Sequence, residues 1–468
     1  MDGPLTDQSL RPKAVLGAGL RESSCESGFE PFGITVLFCT LRHQTPCSPA
    51  RSDALSVQWS RRAVEIQAFD GVQGDVKKQR LTQSENAKGS GLPLVIRRAT
   101  CADMSALLDF VALTYGPGAQ FKDAARHAWQ FEDIPFRPAG ENTPTIWLAL
   151  NGPRVVGKIA VQDGVLWFAC APILASWIVD VMVHPDYRGQ GLSHRIHDAI
   201  MAERPVLVTL TMAPATRRVA ERAGCLTLGA TRQFILPHRL SSATITRYLA
   251  YKAQSGSSNR AGALHLFNKS RVAPLVLAAM ARLVAAIRRR HAPSVLPTYL
   301  QISEVDRFPE TIDFLWSGSR YLFPVIFERS ARFLNWRFVQ VPGLTYRRFL
   351  LHRNGVLAGY VVTRRGVVQE LPLGVIVDAF ADPRDPEALD ALFSHACRIL
   401  CPDVEFIEAA ASSPAWQAAL SRAGFIATRT MHPTVVCTDA GLRGRLAHIP
   451  DGWHFTKADH DWDQIHPV

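Results

Sequence analysis

The residues best suited to chemistry lie in one short run, His184-Pro185-Asp186-Tyr187-Arg188-Gly189-Gln190-Gly191-Leu192-Ser193. It gathers an imidazole, a carboxylate, a phenol and a guanidinium around two glycines. Glycine lets a backbone approach a bulky phosphate that a Cβ would hold away, and Arg188 adds a permanent cation with a planar donor fork. The spacing predicts an anion cradle, and a diphosphate is its natural guest. Asp180 and His184 are the candidates for proton transfer nearest to it, with Tyr187 beside them. An unperturbed imidazole titrates near neutrality, so His184 suits the role of base. Each of the three also has a structural reading, as a loop or packing residue.

Such a cradle needs rigid elements on both sides, and the pattern supplies them. Trp177 to Val183 reads as a β-branched strand that Pro185 ends, because proline has no N–H to give the ladder. Leu192, Ile196, Ala199 and Ile200 then recur on one helical face. Strand, glycine turn and helix N-terminus aim free backbone N–H groups and the positive helix end at one place. By alternation along the strand, Asp180 is expected on the face opposite Val181.

With these residues in view, Val181 to Leu192 resembles the acyl-CoA signature of the GNAT superfamily of N-acetyltransferases, over roughly residues 94–240. The family pattern is Arg or Gln, two residues, Gly, one residue, then Gly or Ala. Arg188 and Gly191 match, and Ser193 replaces the last small residue. The resemblance implies an α/β fold whose mixed, mostly antiparallel sheet splays between its fourth and fifth strands, the fifth being Pro205 to Thr211. It implies that the pantetheine arm of acetyl-CoA or another acyl-CoA pairs near Val181 and Val183. The N–H groups of Arg188, Gly189, Gln190, Gly191, Leu192 and Ser193 would hold the pyrophosphate, and an amine would attack the thioester directly, with no metal. Many relatives supply an acid as a tyrosine four residues before the glycine that ends the next helix. Here that place is Ala220, and the usual asparagine falls on Ala213.

Beyond this run the chain repeats itself. Ile146–Ile159 and Phe349–Val362 each read as a hairpin closed by Asn-Gly, expected as a type I′ turn with positive φ at both centres. Val179-Asp180 recurs as Val377-Asp378, and Arg222-Ala223-Gly224 as Arg422-Ala423-Gly424, with both glycines placed as helix C-caps. The expectation is two GNAT-like domains, 94–240 and 299–440. Before them lies a poorly ordered extension, 1–93; between them a basic linker and Ala-rich helix, 241–298; after them a polar tail, 441–468. In the second repeat Pro383 and Pro386, among two acids and Glu387, stand where the first has glycines and N–H donors, so that domain is expected to be degenerate. Trp129 to Glu132 and Phe333 to Phe338 precede the hairpins and read as core packing or as walls of an acceptor cleft. The alternating Asp459, Asp461 and Asp463 lack the glycine and distal glutamate of a calcium loop. The tail also resembles the Trp- and Asp-rich ending of some bacterial tandem GNAT proteins associated with polysaccharide gene clusters, which hints at an amino-sugar acceptor.

Composition agrees with a globular α/β chain: 468 residues, 47% hydrophobic and 20% charged. The nine cysteines are odd in number and show no metal or redox spacing, which points to free thiols in a reducing cytoplasm. The net charge of +11 resides in Arg222 to Ser303, which has twelve Lys and Arg and no acid, leaving the rest close to neutral. That block suits an anionic membrane surface or an acidic ligand as well as a solvated linker. A small-molecule amine is the expected acceptor, ahead of nucleic acid.

Overall fold

The computed structural model describes residues 93–115, 123–138, 140–210, 224–238, 296–368 and 371–465, with isolated positions between 217 and 283. The N-terminal extension and most of the basic linker with its Ala-rich helix lie outside the described residues.

Two mixed sheets carry the fold. In the first half, β1 (Leu94–Arg98), β2 (Ile146–Asn151), β3 (Arg154–Phe168) and β4 (Ala171–Val183) run antiparallel in sequence order. Then β5 (Val206–Thr209) joins parallel to β4. The second half repeats this with β8 (Leu300–Val305), β10 (Arg347–Arg353), β11 (Val356–Val368) and β12 (Leu371–Ala381), followed by the parallel β13 (Phe406–Ala411).

The remaining strands cross over. β7 (Thr231–Pro237) enters the second sheet between β13 and β14 (Ile426–Met431), and β15 (Thr434–Cys437) enters the first between β5 and β6 (Leu226–Thr227). Along the main path the two orders are therefore the same, each with one strand lent by the other half; off that path β9 (Val325–Phe327), also from the second half, pairs with β3 in the first sheet. This corrects the expectation of consecutive domains, because a segment ending at 240 places its last strand in its neighbour's sheet. Both edges of the lent strands are hydrogen-bonded, so neither sheet is complete without the other half.

The halves also meet through a reciprocal aromatic contact. Helices α1 (Met104–Tyr115) and α2 (Ala124–Phe131) precede the first hairpin; α4 (Ile312–Ser319) and α5 (Ala331–Phe338) precede the second, α3 (Leu192–Glu203) having followed β4. Trp129 on α2 stacks on Trp336 on α5 at 4.7 Å, and each indole N–H donates to the other's backbone carbonyl, at 2.9 and 3.2 Å. Trp129 and Trp336 thus pack between the halves, while Phe333, Trp336 and Arg337 also line a small cavity.

The hairpins are alike in position and different in turn. Asn354 and Gly355 both have positive φ, 50° and 79°, as type I′ requires. In the first hairpin only Gly152 does, at 58°, and Pro153 fixes the next φ negative, so the turn has the II′ pattern. Gly424 follows its helix at φ 97°, as expected of a C-cap; Gly224 has a left-handed φ of 88°, and Arg222 and Ala223 before it lie outside the described residues.

The C-terminal residues are no polar tail. After α6 (Pro386–Leu400), α7 (Pro414–Arg422) and α8 (Ala440–Ala447), β16 (Trp453–His454) pairs with β9 (Val325–Phe327), and the chain continues inside the molecule. Asp459 is buried against Arg329 at 2.7 Å, and Asp463 against Arg337 and the Tyr346 hydroxyl. Arginines from the middle of the chain neutralise these acids, which is why a polar sequence can be interior. Among the described residues no helix is long and apolar enough to cross a membrane.

Candidate functional site

β4 and β5 are registered at only two places, Ser176↔Leu207 and Trp177↔Val208. Beyond Trp177, β4 runs on to Val183 with no strand paired to that edge among the described residues. The other edge of β4 is irregular in the same stretch. Pairing with β3 passes from Lys158↔Met182 to Ala160↔Val179, so Asp180 and Val181 both stand opposite Ile159, a bulge. Asp180 takes the left-handed φ of 52°. A bulge bends its strand and re-aims side chains, and the outcome here is an Asp180 side chain 3% exposed beside a Val181 54% exposed. The two lie in opposite environments as expected, through the bulge and not through plain alternation.

Asp180 accepts from the Lys158 ammonium at 3.1 Å, which lies 3.2 Å from His127 Nε2 on α2. Lys158 is fully buried and Asp180 nearly so. Removing one partner of such a pair would leave an uncompensated interior charge, which is strongly destabilising. His184 and Tyr187 are tied to the first hairpin. The His184 ring nitrogens meet the Arg154 guanidinium at 2.7 Å and the Asp186 N–H at 3.3 Å, and Asn151 donates to the Tyr187 hydroxyl at 2.6 Å. Burial, and then Arg154, holds the His184 pKa below the usual imidazole value. These contacts clamp the turn Pro185–Tyr187 to the β2–β3 hairpin.

The loop that follows is open. Gly189 and Gly191 have φ of 76° and 71°, and a Cβ built on either would meet nothing within 4 Å. Gly191 is the N-cap of α3, with no side chain bonded to the helix end. No side-chain cap therefore takes up the first N–H groups of α3. Gln190 turns back to bond the Asp186 carbonyl at 3.0 Å, and Arg188 Nε reaches the Val183 carbonyl at 3.3 Å, leaving the remaining guanidinium donors beside the loop. The helix is held down by Leu192, Ile196 and Ile200, each almost wholly buried, and burial of such a side chain contributes about 1.5–3 kcal/mol. Gly157 on β3 lets it sit close: an added Cβ would come to 3.1 Å of Ile196 and 3.2 Å of Leu192.

The equivalent place in the second repeat is filled by its own side chains. The N-cap of α6 is Asp385, whose carboxylate accepts from the Ala388 N–H at 3.0 Å. Asp382 accepts the Arg384 N–H at 2.8 Å and its guanidinium at 2.7 Å. Arg353 bonds both Asp385 and Glu387. The cleft between β12 and β13 is occupied as well: Thr456 donates to Asp378 at 2.8 Å, Ser412 N–H to the Phe455 carbonyl at 3.1 Å, and Lys457 pairs with Glu408 at 2.8 Å.

Sequence reasoning missed one group at the first cleft. His460, from the C-terminal segment, donates from Nε2 to the Ile178 carbonyl at 2.8 Å, on the part of β4 that β5 has left. Its ring stands edge-on to Trp177 at 5.8 Å. No local pattern announces it, because the two residues are 282 positions apart. Ala213 lies outside the described residues.

Residues 95–225 match the sequence model of the acetyltransferase (GNAT) domain. Among solved structures, a GCN5-related N-acetyltransferase from Anabaena variabilis is similar at 12% identity, with 73% of this chain and 72% of that one covered and a TM-score of 0.47. N-myristoyltransferase of Saccharomyces cerevisiae with bound myristoyl-CoA is similar at 12% identity, over 74% and 84%, with a TM-score of 0.45. A tandem GNAT protein from the clavulanic acid biosynthesis pathway is similar at 14%, over 74% and 98%, with a TM-score of 0.41. No curated protein matches the sequence.

Proposed function

We propose, from the match of residues 95–225 to the acetyltransferase (GNAT) domain, that the chain transfers an acyl group, acetyl in the first instance, from acyl-CoA directly to a small-molecule amine. The observation that supports this reading is an uncapped, glycine-bearing helix start beside an edge of β4 that, among the described residues, no strand pairs beyond Trp177. In this reading the backbone from Arg188 to Ser193 holds the diphosphate, charge-assisted by Arg188, and the β4 edge at Val181 and Val183 takes the pantetheine amides. Thioester and amine are then brought together beside the bulge, and proximity supplies much of the rate. Asp180 positions the bulge through Lys158. His184 and Tyr187, clamped to the hairpin, position the loop in place of exchanging protons. The acceptor is an amine of the amino-sugar or peptide-like class, and the second repeat, with its cradle closed, braces the first as a degenerate partner.

The test is calorimetric titration of the full chain with CoA and acetyl-CoA, then release of free thiol with pooled amino sugars, peptides and polyamines. Saturable CoA binding and amine-dependent thiol release are expected. Binding without release from acetyl- or longer acyl-CoA would leave a CoA-binding module, and no binding would overturn the site.

A further inference from the structure

Transfer from a thioester releases a thiolate, and the helical tyrosine that commonly meets it is absent, its place being Ala220. We propose that His460, delivered to the first cleft by the C-terminal segment, is the general acid that protonates the departing CoA sulfur. The inference rests on the acyl-CoA reading above.

Three features of the geometry support it. First, position: Nε2 lies 2.8 Å from the Ile178 carbonyl, where the β4 edge first comes free and two residues before the bulge. Second, protonation: Nδ1 faces the Asp461 carboxylate while Nε2 faces a backbone carbonyl, so each ring nitrogen has an acceptor and the surroundings favour the imidazolium form. Third, backbone: His460 holds φ at 68°, the left-handed region that a side chain adopts at a cost. The surrounding contacts fix that conformation, with Ala458 and Asp459 anchored by Arg337 and Arg329 just before it.

The charges around the ring favour its cationic form. Burial alone would push the imidazole down, but Asp461, the Ile178 carbonyl and Asp180 outweigh it and hold the pKa above the usual value. Asp180 in turn faces Lys158 and His127. A cavity of about 20 Å³, room for roughly one water, adjoins the ring and is lined by Trp177, Asp163, Glu328, Arg337 and Asp459.

The step balances without a co-reactant. The neutral amine nitrogen attacks the thioester carbon to give a tetrahedral adduct. Its C–S bond then breaks, and the sulfur takes the proton from His460 Nε2. The neutral imidazole recovers a proton from the acylated nitrogen, directly or through the adjacent water. Amide and CoA thiol leave, and the imidazolium is restored.

The experiment compares wild type, His460→Gln and Asp461→Asn in the full chain, reading acetyl-CoA affinity, thermal midpoint, and kcat for thiol release against pH. Hydroxylamine serves as acceptor beside the pooled amines, because it is far less basic than an alkylamine and is mostly neutral from neutral pH upward. Glutamine keeps a donor for the Ile178 carbonyl but holds no transferable proton. His460→Gln is expected to leave affinity within about threefold and lower kcat about 100-fold or more, the usual scale of general acid catalysis. An acid must be protonated, so wild-type kcat should fall as pH rises through the His460 pKa. That limb should vanish in His460→Gln and move to lower pH in Asp461→Asn. Unchanged kcat and profile, or loss of affinity and stability together, would overturn the acid role and leave the CoA site standing. Acetyl-CoA binding with no thiol release by wild type would also overturn it. Absence of CoA binding would instead fail the underlying reading.

Discussion

The loops that start α3 and α6 stand at the same point of two sheets with the same strand order, yet one is open to an anion and the other has its own. At α3 a left-handed glycine leaves the helix end uncapped, with Arg188 alongside. At α6 the cap is Asp385, and two further acids are held by Arg384 and Arg353. A helix N-terminus attracts one negative charge from whatever source is at hand. A carboxylate in the chain excludes a phosphate from outside. The difference teaches that one fold can place two like helix starts and leave it to the side chains whether the chain caps them itself.

The strongest way to break this contrast is to write the second loop's cap into the first. Asp tolerates left-handed φ better than most residues, and Gly191→Asp would offer α3 the carboxylate that Asp385 offers α6. CoA affinity is expected to fall at least about 100-fold by calorimetry, while the thermal midpoint holds or rises, since a good cap contributes about 1 kcal/mol. Retained affinity would mean that the helix end is not the phosphate site. The next effect down is Arg188→Ala, for which about a tenfold loss is expected, or ~1.4 kcal/mol. The loss should shrink at high salt because the guanidinium is exposed and screened. A salt-independent loss would indicate that Arg188 acts only through the Val183 carbonyl.

How much of this was legible in the sequence divides along the same line. Local devices were: the strand that Pro185 ends, the glycine loop, the face of α3, the C-cap at Gly424 and the repeat itself. What involves distant partners was not. β7 and β15 alternate in the same way whichever sheet receives them, because side-chain period states a face and not a neighbour. The C-terminal acids read as solvated until Arg329 and Arg337, more than a hundred residues earlier, are seen to neutralise them. The bulge at Asp180 has no glycine to mark it. The contact of His460 with Ile178 belongs to this second class, because it joins residues 282 positions apart.

The contrast can be sharpened from the other loop at smaller cost. Asp385→Ala removes a cap and a partner of Arg353, and should lower unfolding free energy by about 1 kcal/mol in urea titration. It should not create a CoA site, because Asp382 and Glu387 still repel a diphosphate. Detectable CoA binding to a Gly191→Asp, Asp385→Ala double variant would show that the second cradle is closed by Asp385 alone.

The smallest expected effect separates the helices by pH. His395 on α6 packs edge-on against Phe349 at 4.7 Å, and burial first, then Arg398 and Arg347, push its pKa down to about 4. An unfolded histidine titrates near 6.5, so between these values the unfolded chain binds a proton that the folded one refuses. Stability therefore falls as pH drops from about 6.5 towards 4. His184, also held low, contributes with the same sign, as does the deeply buried His454. His395→Leu should flatten the slope of unfolding free energy between pH 7 and 5 without changing CoA affinity, because the ring braces the second repeat and touches neither cradle. An unaltered slope would mean that His395 is already solvated and that the acid sensitivity resides in His184 and His454.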